Sequence, residues 1–491
     1  MTAAKTPLYQ VKQIRSCERM AVSKMHLSET ELMERAGKSA FSCMSQLFPK
    51  ARRLVIFCGG GNNAGDGYVL ARLALEKGYS VIVNQYRTVE ELPPAAQHAA
   101  VQALSAGLYC QALDEPIDSD VDLIVDALLG IGLQGEVRGP IAVAINQIND
   151  CDIPVLALDI PSGLNADSGN VMSLCVKATA TITFIGNKLG LFTADGPDYC
   201  GKVICNSLKL EPCLSHITPA AYLMDKHLPQ PILPPRLKNS HKGNYGHVLV
   251  IGGGLGMPGS VYLAAKAALR AGAGLVTIAT RPEHAGHVLP DLAEAMIYGI
   301  EEIEQLSSLI ARASVCIIGP GLGEDEWAKA MFAKAIGSQL AMIIDASALR
   351  LLAKNHQHDD NWILTPHPGE AACLLNCSTN DVQSDRYQAA LAVQKLYGGN
   401  VILKGQGTLI CTDEAEVYLC SAGNPGMASA GMGDTLNGVI AGLFAQGLSL
   451  ADAAKYGVWV HAMAGDAAAS AFGERGLLAS DLMPYVREFV N

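Results

Sequence analysis

The segment RRLVIFCGGGNNAGDGYVLARLALEKGYSVIV, Arg52 to Val83, decides the fold class. A short apolar run ends on three glycines and a polar turn follows. Apolar residues then recur at helical spacing before a second β-branched run. Strand, loop, helix, strand is the unit from which parallel sheets are built. Outward from it, DLIVDA (122–127), PVLALDI (154–160) and ATITFI (180–185) supply further strands. Beyond residue 240, GHVLVIGG (246–253), LVTIAT (275–280), VCIIG (315–319), AMIIDA (341–346) and VILKG (401–405) do the same, and GSVYLAAKAALRAG (259–272) is a helix. Between the two series lies DKHLPQPILPPR (225–236), whose four prolines deny the chain helix and ladder hydrogen bonds. The expected organisation is α/β throughout: a domain over 1–224, a stiff linker over 225–236 and a second domain over 237–491, each a mostly parallel sheet between helical layers.

Bulk composition agrees. A chain of 491 residues exceeds one core. With 49% hydrophobic and 17% charged residues it is globular. The net charge of -11, with no Lys/Arg cluster beyond Arg52-Arg53, argues against a nucleic-acid surface. No run of about 18 apolar residues suggests a membrane span, and the first residues lack the apolar segment of a secretory leader. Fourteen cysteines without a CxxC pair point to reduced thiols, hence a cytoplasmic protein. A homo-oligomer is expected.

The first glycine loop is an imperfect dinucleotide fingerprint. Gly59, Gly61 and Ala64 satisfy G-x-G-x-x-A, but the following strand ends on Asn84 and Gln85 instead of an acid. Two asparagines and Asp66 follow the glycines. A helix start there can hold an anion, though a tight strand-to-helix turn accounts for the same residues. Asp126 and Asp159 end two later strands, where ligands of parallel sheets bind. Asn63, Asp126 and Ser162 together present hard oxygens to an alkali cation, or each caps a helix.

Four motifs carry a resemblance. LMERAG (32–37), GGGNNAGDG (59–67), DALLGIGLQGEVRGP (126–140) and LDIPSGLNADSG (158–169) resemble the NAD(P)H-hydrate epimerase family, in the family's order. The resemblance implies a Rossmann-like fold. It implies hydrate binding by Asn62, Asn63, Ala64, Gly65 and Asp66, by Gly130, Ile131, Gly132, Leu133, Gln134, Gly135 and Glu136, and by Asp159. It also implies a potassium ion on Asn63, Asp126 and Ser162. Asp159 is the expected acid/base. The family's usual GNGNNGGDG is altered here at Gly60 and Ala64.

In the second half, NPGMASAGMGDTLNGVIAGLF (424–444) surrounds Asp434 with glycines and runs into an apolar helix. Gly431 and Gly433 let unpaired N–H groups converge on an anion. An acid beside a phosphate cannot bind it, but it can take the proton of an attacking hydroxyl. A purely structural account makes Asp434 an acid favoured by the helix dipole. Other glycine turns accompany it: GPGLG (319–323), TPHPGE (365–370) and KGQGT (404–408). No Walker pattern occurs. This set resembles the ribokinase-like superfamily and, within it, ADP-dependent NAD(P)H-hydrate dehydratases, over about 237–490. The resemblance implies ADP contacts from Lys404, Gly405, Gln406, Gly407, Thr408 and Gly433. Hydrate contacts would come from Ser260, Gly323, His367 and Asp434, with Asp434 as base. The family more often has GTGD where Met432 stands.

The implied activity is repair of hydrated nicotinamide cofactors, NADHX and NADPHX. The first half would interconvert R and S epimers with potassium. The second would dehydrate the S form with ADP or ATP and Mg2+, giving NAD(P)H, AMP and phosphate. A rival is a ribokinase-like small-molecule kinase fused to a non-catalytic nucleotide-binding module.

Overall fold

The computed structural model describes residues 6–224, 233–286 and 292–491. Its chain forms two compact units, Pro7–Ala221 and Tyr222–Asn491, with Thr6 grouped with the latter. The division falls just ahead of the proline-rich segment, of which residues 225–232 lie outside the described residues.

In the first unit, β1 (Thr6–Tyr9) pairs in parallel with β8 (Asn187–Lys188). The main sheet comprises β2 (Arg53–Cys58), β3 (Ser80–Gln85), β4 (Tyr109–Ala112), β5 (Leu123–Ala127), β6 (Val155–Leu158), β7 (Ala180–Phe184) and β9 (Lys202–Asn206). Their spatial order is β4-β3-β2-β5-β6-β7-β9, every pair parallel. The order reverses between β2 and its neighbours β3 and β5, and a crevice opens there at the strand C-termini. Strand β5 is buried at all five positions, as a central strand covered on both faces must be. Three helices matter for the site: α1 (Val11–Met25), α2 (Glu29–Leu47) and α3 (Asn62–Glu76). Ser28 starts α2 through a capping box with Glu31, which satisfies two otherwise orphaned donors.

The second unit holds β10 (Ala221–Met224), β11 (His247–Ile251), β12 (Leu275–Thr280), β13 (Met296–Gly299), β14 (Val315–Ile318), β15 (Ala341–Ile344), β16 (Trp362–Leu364), β17 (Asn400–Leu403), β18 (Thr408–Cys411) and β19 (Val417–Cys420). From β13 the order runs β12-β11-β14-β15-β16-β17 in parallel. Strands β17, β18 and β19 then form an antiparallel meander, and β10 pairs in parallel with β19. The short antiparallel excursion sits where KGQGT turns the chain from β17 into β18. Four helices position this unit's site: α4 (Pro258–Arg270), α5 (Pro368–Leu375), α6 (Arg386–Tyr397) and α7 (Met432–Ala445).

Helix α4 crosses α7 at very close range, and this explains two of the five glycines around Asp434. A Cβ at Gly438 would lie 2.2 Å from the Ala264 carbonyl oxygen, and one at Gly442 2.6 Å from that of Ala268. Both glycines serve helix packing. Gly431 acts on the backbone instead. It starts α7 with φ 86, a left-handed conformation costly to any other residue. The α/β expectation with mostly parallel sheets is borne out in both units. Among the described residues, no helix is long and apolar enough to cross a membrane.

Candidate active sites

The first unit carries a cavity of about 960 Å³ at the C-terminal ends of its central strands. Asn62, Asn63, Asp66, Asp159 and the stretch Gly130–Gln134 line it, so most of the predicted residues converge. Two details differ from expectation. The asparagines belong to the first turn of α3, not to a preceding loop, because Gly61 caps the helix. Ala64 and Gly65 are not among the residues that line the cavity. Ala64 is fully buried in the core, and a Cβ at Gly65 would strike Met33 Sδ at 2.3 Å. The methyl group of Ala64 is thus a packing feature. Gly135 and Glu136 also fall outside the lining, and Glu136 pairs with Arg138 at 2.7 Å.

Asp159 sits at the end of β6 with φ 67, a backbone conformation that costs a non-glycine residue energy. Its Oδ1 accepts from the Phe184 N–H at 3.1 Å, from Thr183 Oγ1 at 3.3 Å and from the ammonium of Lys188. Lys188 is fully buried, and its other donors go to Thr183 Oγ1 (2.9 Å) and the Phe184 carbonyl (2.7 Å). All of these contacts use Oδ1, which leaves Oδ2 for a ligand. Glu18 of α1 lines the same cavity. Burial, and then the charge of Asp159, raises the pKa values of both Glu18 and Asp66, the latter well above the carboxylate range. The cavity therefore holds an ion-paired carboxylate together with two carboxyls whose pKa values are raised, a set suited to acid/base work.

Behind the Gly130–Gln134 stretch lie the three residues expected to hold a cation. Asp126 and Ser162 are wholly buried. Ser162 donates from Oγ to Asp126 Oδ1 at 2.5 Å and from its N–H to Oδ2 at 2.8 Å. Asn63 donates to the carbonyls of Leu129 (3.0 Å) and Leu158 (3.2 Å), while its own Oδ1 is buried without a partner. The Leu129 carbonyl also lies 3.3 Å from Ser162 Oγ, which ties the three side chains together. An orphaned buried oxygen amid other hard oxygens is what an alkali cation would satisfy, so the residues fit that group.

In the second unit, Asp434 is the third residue of α7, among N–H groups with no helical partner. Burial and the neighbouring Asp345 carboxylate push its pKa up to about 6, against the opposing pull of the Ser260 hydroxyl and Lys404. Ser260 and Asp434 are thereby brought into contact. Asp345, at the end of β15, is nearly inaccessible. It accepts from Lys404 Nζ at 2.8 Å and from Asn437 Nδ2 at 2.6 Å, and Asn437 accepts from Thr365 Oγ1 at 3.0 Å. Glu370 lies 3.8 Å from the same ammonium. Burial works against ionisation of Asp345, but Lys404 prevails and holds its pKa low. A Cβ on Gly433 would lie 3.3 Å from both Lys404 Nζ and Asp345 Oδ2, so the bare glycine exposes this pair to the helix start.

His367 has a structural role besides the expected one. It caps α5, its Nδ1 accepting from Gly369 N at 3.0 Å, and Nε2 lies 3.3 Å from Glu370. Gly323 donates its N–H to Ser347 Oγ at 3.3 Å. Met432 is buried in the core. Sequence reasoning missed Glu18, Lys188, Asp345, Glu370 and Asn437. Of these, Asp345 carried a signal as a third acid ending a buried strand, and Glu370 and Asn437 lie inside the TPHPGE and NPGMASAGMGDTLNGVIAGLF motifs.

Residues 29–190 match the family model described as YjeF-related protein N-terminus, and residues 248–487 that described as NAD(P)H-hydrate dehydratase. The bifunctional NAD(P)H-hydrate repair enzyme Nnr of Coxiella burnetii is 48% identical over 487 residues, covering 99% of this chain and 100% of the relative. The chain belongs to the bifunctional NAD(P)H-hydrate repair enzyme family. The Escherichia coli K12 member is 40% identical, covering 99% of this chain and 94% of that one. A crystal structure of the Bacillus subtilis ADP/ATP-dependent NAD(P)H-hydrate dehydratase co-crystallised with ATP/Mg2+ is 28% identical, covering 52% of this chain and 93% of that one, with a TM-score of 0.47. Membership of the repair-enzyme family bears out the two-part reading, Rossmann-like followed by ribokinase-like.

Proposed function

We propose that this chain repairs hydrated NADH and NADPH with two separate sites, residues 1–224 serving as epimerase and 237–491 as dehydratase. The observation that carries the reading is the full-length kinship with bifunctional repair enzymes, joined to a helix start in which Asp434 stands among unpaired N–H groups beside Lys404. In the second unit those N–H groups and the KGQGT turn receive the nucleotide's phosphates. The hydroxyl of the S hydrate attacks the terminal phosphorus of ADP or ATP, the bond to the leaving nucleotide breaks, and Asp434 takes the hydroxyl proton. With ADP the leaving group is AMP. Loss of phosphate and a neighbouring ring proton then restores the reduced nicotinamide. Ser260 orients the Asp434 carboxylate.

Among the described residues no group of three His, Cys, Asp or Glu side chains forms a metal cage, and Asp345 and Glu370 are committed to Lys404. Mg2+ accordingly arrives on the nucleotide, whose charge it neutralises.

In the first unit Asp159 is the acid/base group, held by Lys188. Potassium would be held by Asn63, Asp126 and Ser162, where it supplies positive charge behind the hydrate-binding loop. The fourteen free thiols support a reducing, cytoplasmic setting, and a homo-oligomer remains the expected assembly.

The test is to incubate the protein with mixed R and S hydrates and ADP, and to follow reduced nicotinamide and AMP. Complete recovery is expected, one AMP for each cofactor repaired. Recovery that stops when the S form is exhausted would remove the epimerase. A stable phosphate ester would favour a small-molecule kinase.

A further inference from the structure

The KGQGT turn has a second cation behind it that no motif announces. Arg386 opens α6 and is 2% exposed. Its guanidinium lies directly under the turn, where a Cβ on Gly405 would meet Nη1 at 2.8 Å. Nη2 donates to the Lys404 carbonyl at 3.2 Å and more weakly to that of Leu403 at 3.4 Å, and Nη1 donates to Gln383 Oε1 at 3.1 Å. Nε is buried without a partner.

Every acceptor is neutral. Among the described residues no carboxylate pairs with Arg386, and burial is the sole influence on its charge, lowering its pKa to about 10. The guanidinium therefore remains charged at neutral pH. Lys404, the obvious phosphate ligand of the turn, is in the opposite condition, since Asp345 and Glu370 already balance it. A buried charge without a counter-ion is unfavourable until an anion comes near. The turn in front of it is glycine-rich and solvent-facing, so an anion seated there would do so.

We propose that Arg386 is the positioning residue of the nucleotide-phosphate turn: its uncompensated charge, acting through the Lys404–Gly405 peptide it holds, selects a ligand bearing a diphosphate. The inference rests on reading Lys404–Thr408 as the nucleotide-phosphate turn. Arg386 touches no ligand itself. It fixes the Leu403 and Lys404 carbonyls inward and supplies the positive potential that Lys404 lacks.

Titration calorimetry of the full chain with ADP and with adenosine tests this. Arg386→Gln should weaken ADP binding ten- to hundredfold and leave adenosine within about twofold, because adenosine carries no charge to sense. In turnover, KM for ADP should rise with kcat at saturation little changed. Arg386→Lys, which keeps the charge but loses the fork, should retain the preference for ADP over adenosine to within about threefold. The same variant decides the matter if Arg386→Gln does not fold. Equal weakening of ADP and adenosine, an ADP affinity untouched in Arg386→Gln, or a lost preference in Arg386→Lys would each overturn the inference. Wild-type protein that fails to bind ADP would overturn the reading of the turn itself, and the inference with it.

Discussion

Lys404 Nζ donates to Asp345 Oδ1 at 2.8 Å, so the lysine of the KGQGT turn meets its ligand already paired. Side-chain exposures of 20% and 3% put this ion pair in a setting where deleting one partner strands the other. Asp345→Ala should cost about 3–5 kcal/mol of stability in the second unit and misplace Lys404 and Asn437 together. Chemical denaturation with dehydratase assays checks it. A variant as stable as wild type would mean that Glu370 alone suffices.

Asp434, with a pKa of about 6, must be ionised to accept a proton. Dehydratase kcat/KM should rise with pH through about 6 and level off above it. Asp434→Asn should lower the rate roughly 100- to 10,000-fold. The sign for stability is opposite. A carboxyl whose pKa is raised by folding favours the fold when protonated and loses that contribution as pH climbs through 6. Asp434→Asn should therefore melt above wild type at pH 8, with the gap closing toward pH 5. Inactivation accompanied by destabilisation at pH 8 would contradict the assignment.

Lys188→Met removes the counter-charge of Asp159 and leaves a partly buried carboxylate to recruit a proton. R-epimer conversion should fall at least roughly tenfold, while ADP-dependent repair of the S form continues. An R-epimer rate equal to wild type across pH would show that the pair is merely architectural.

The fold and both sets of site motifs are legible in the chain because they are local: a strand, a glycine turn and a helix start occupy a few consecutive residues each. What stays hidden is pairing across the sheet. Lys188 and Asp159 stand 29 residues apart and meet only because β6, β7 and β8 bring them together. Glu18 reaches the cavity from a helix whose sequence carries no motif. His367 reads in sequence as a substrate contact, and its second role as the cap of α5 is not visible there, because nothing in TPHPGE announces a helix cap. The glycines of α7 look alike in sequence, although two of them answer to the carbonyls of α4.

Asp126→Ala should impair potassium-dependent epimerisation and leave S-hydrate repair intact, since it strips both carboxylate oxygens from the cluster around the unpaired Asn63 Oδ1. Rates measured against potassium concentration, with melts alongside, separate this from a capping role, which predicts about 0.5–2 kcal/mol of lost stability and little change in rate. A wild-type epimerase indifferent to potassium would falsify the cation site.

The bare flank of α7 at Gly438 and Gly442 turns that helix into a stiff strut. At these two positions α7 faces the backbone carbonyls of Ala264 and Ala268, which cannot yield as the end of a flexible side chain would. Gly442 stands eight residues beyond Asp434, about 12 Å along the axis. A single methyl group there would push on the Ala268 carbonyl and drive the strut lengthwise or sideways, carrying its far tip, with the catalytic carboxylate, out of register with Ser260 and Lys404. Lesions at the remote end of this helix should therefore surface in enzymology as defects of the reaction centre, although they touch none of its atoms.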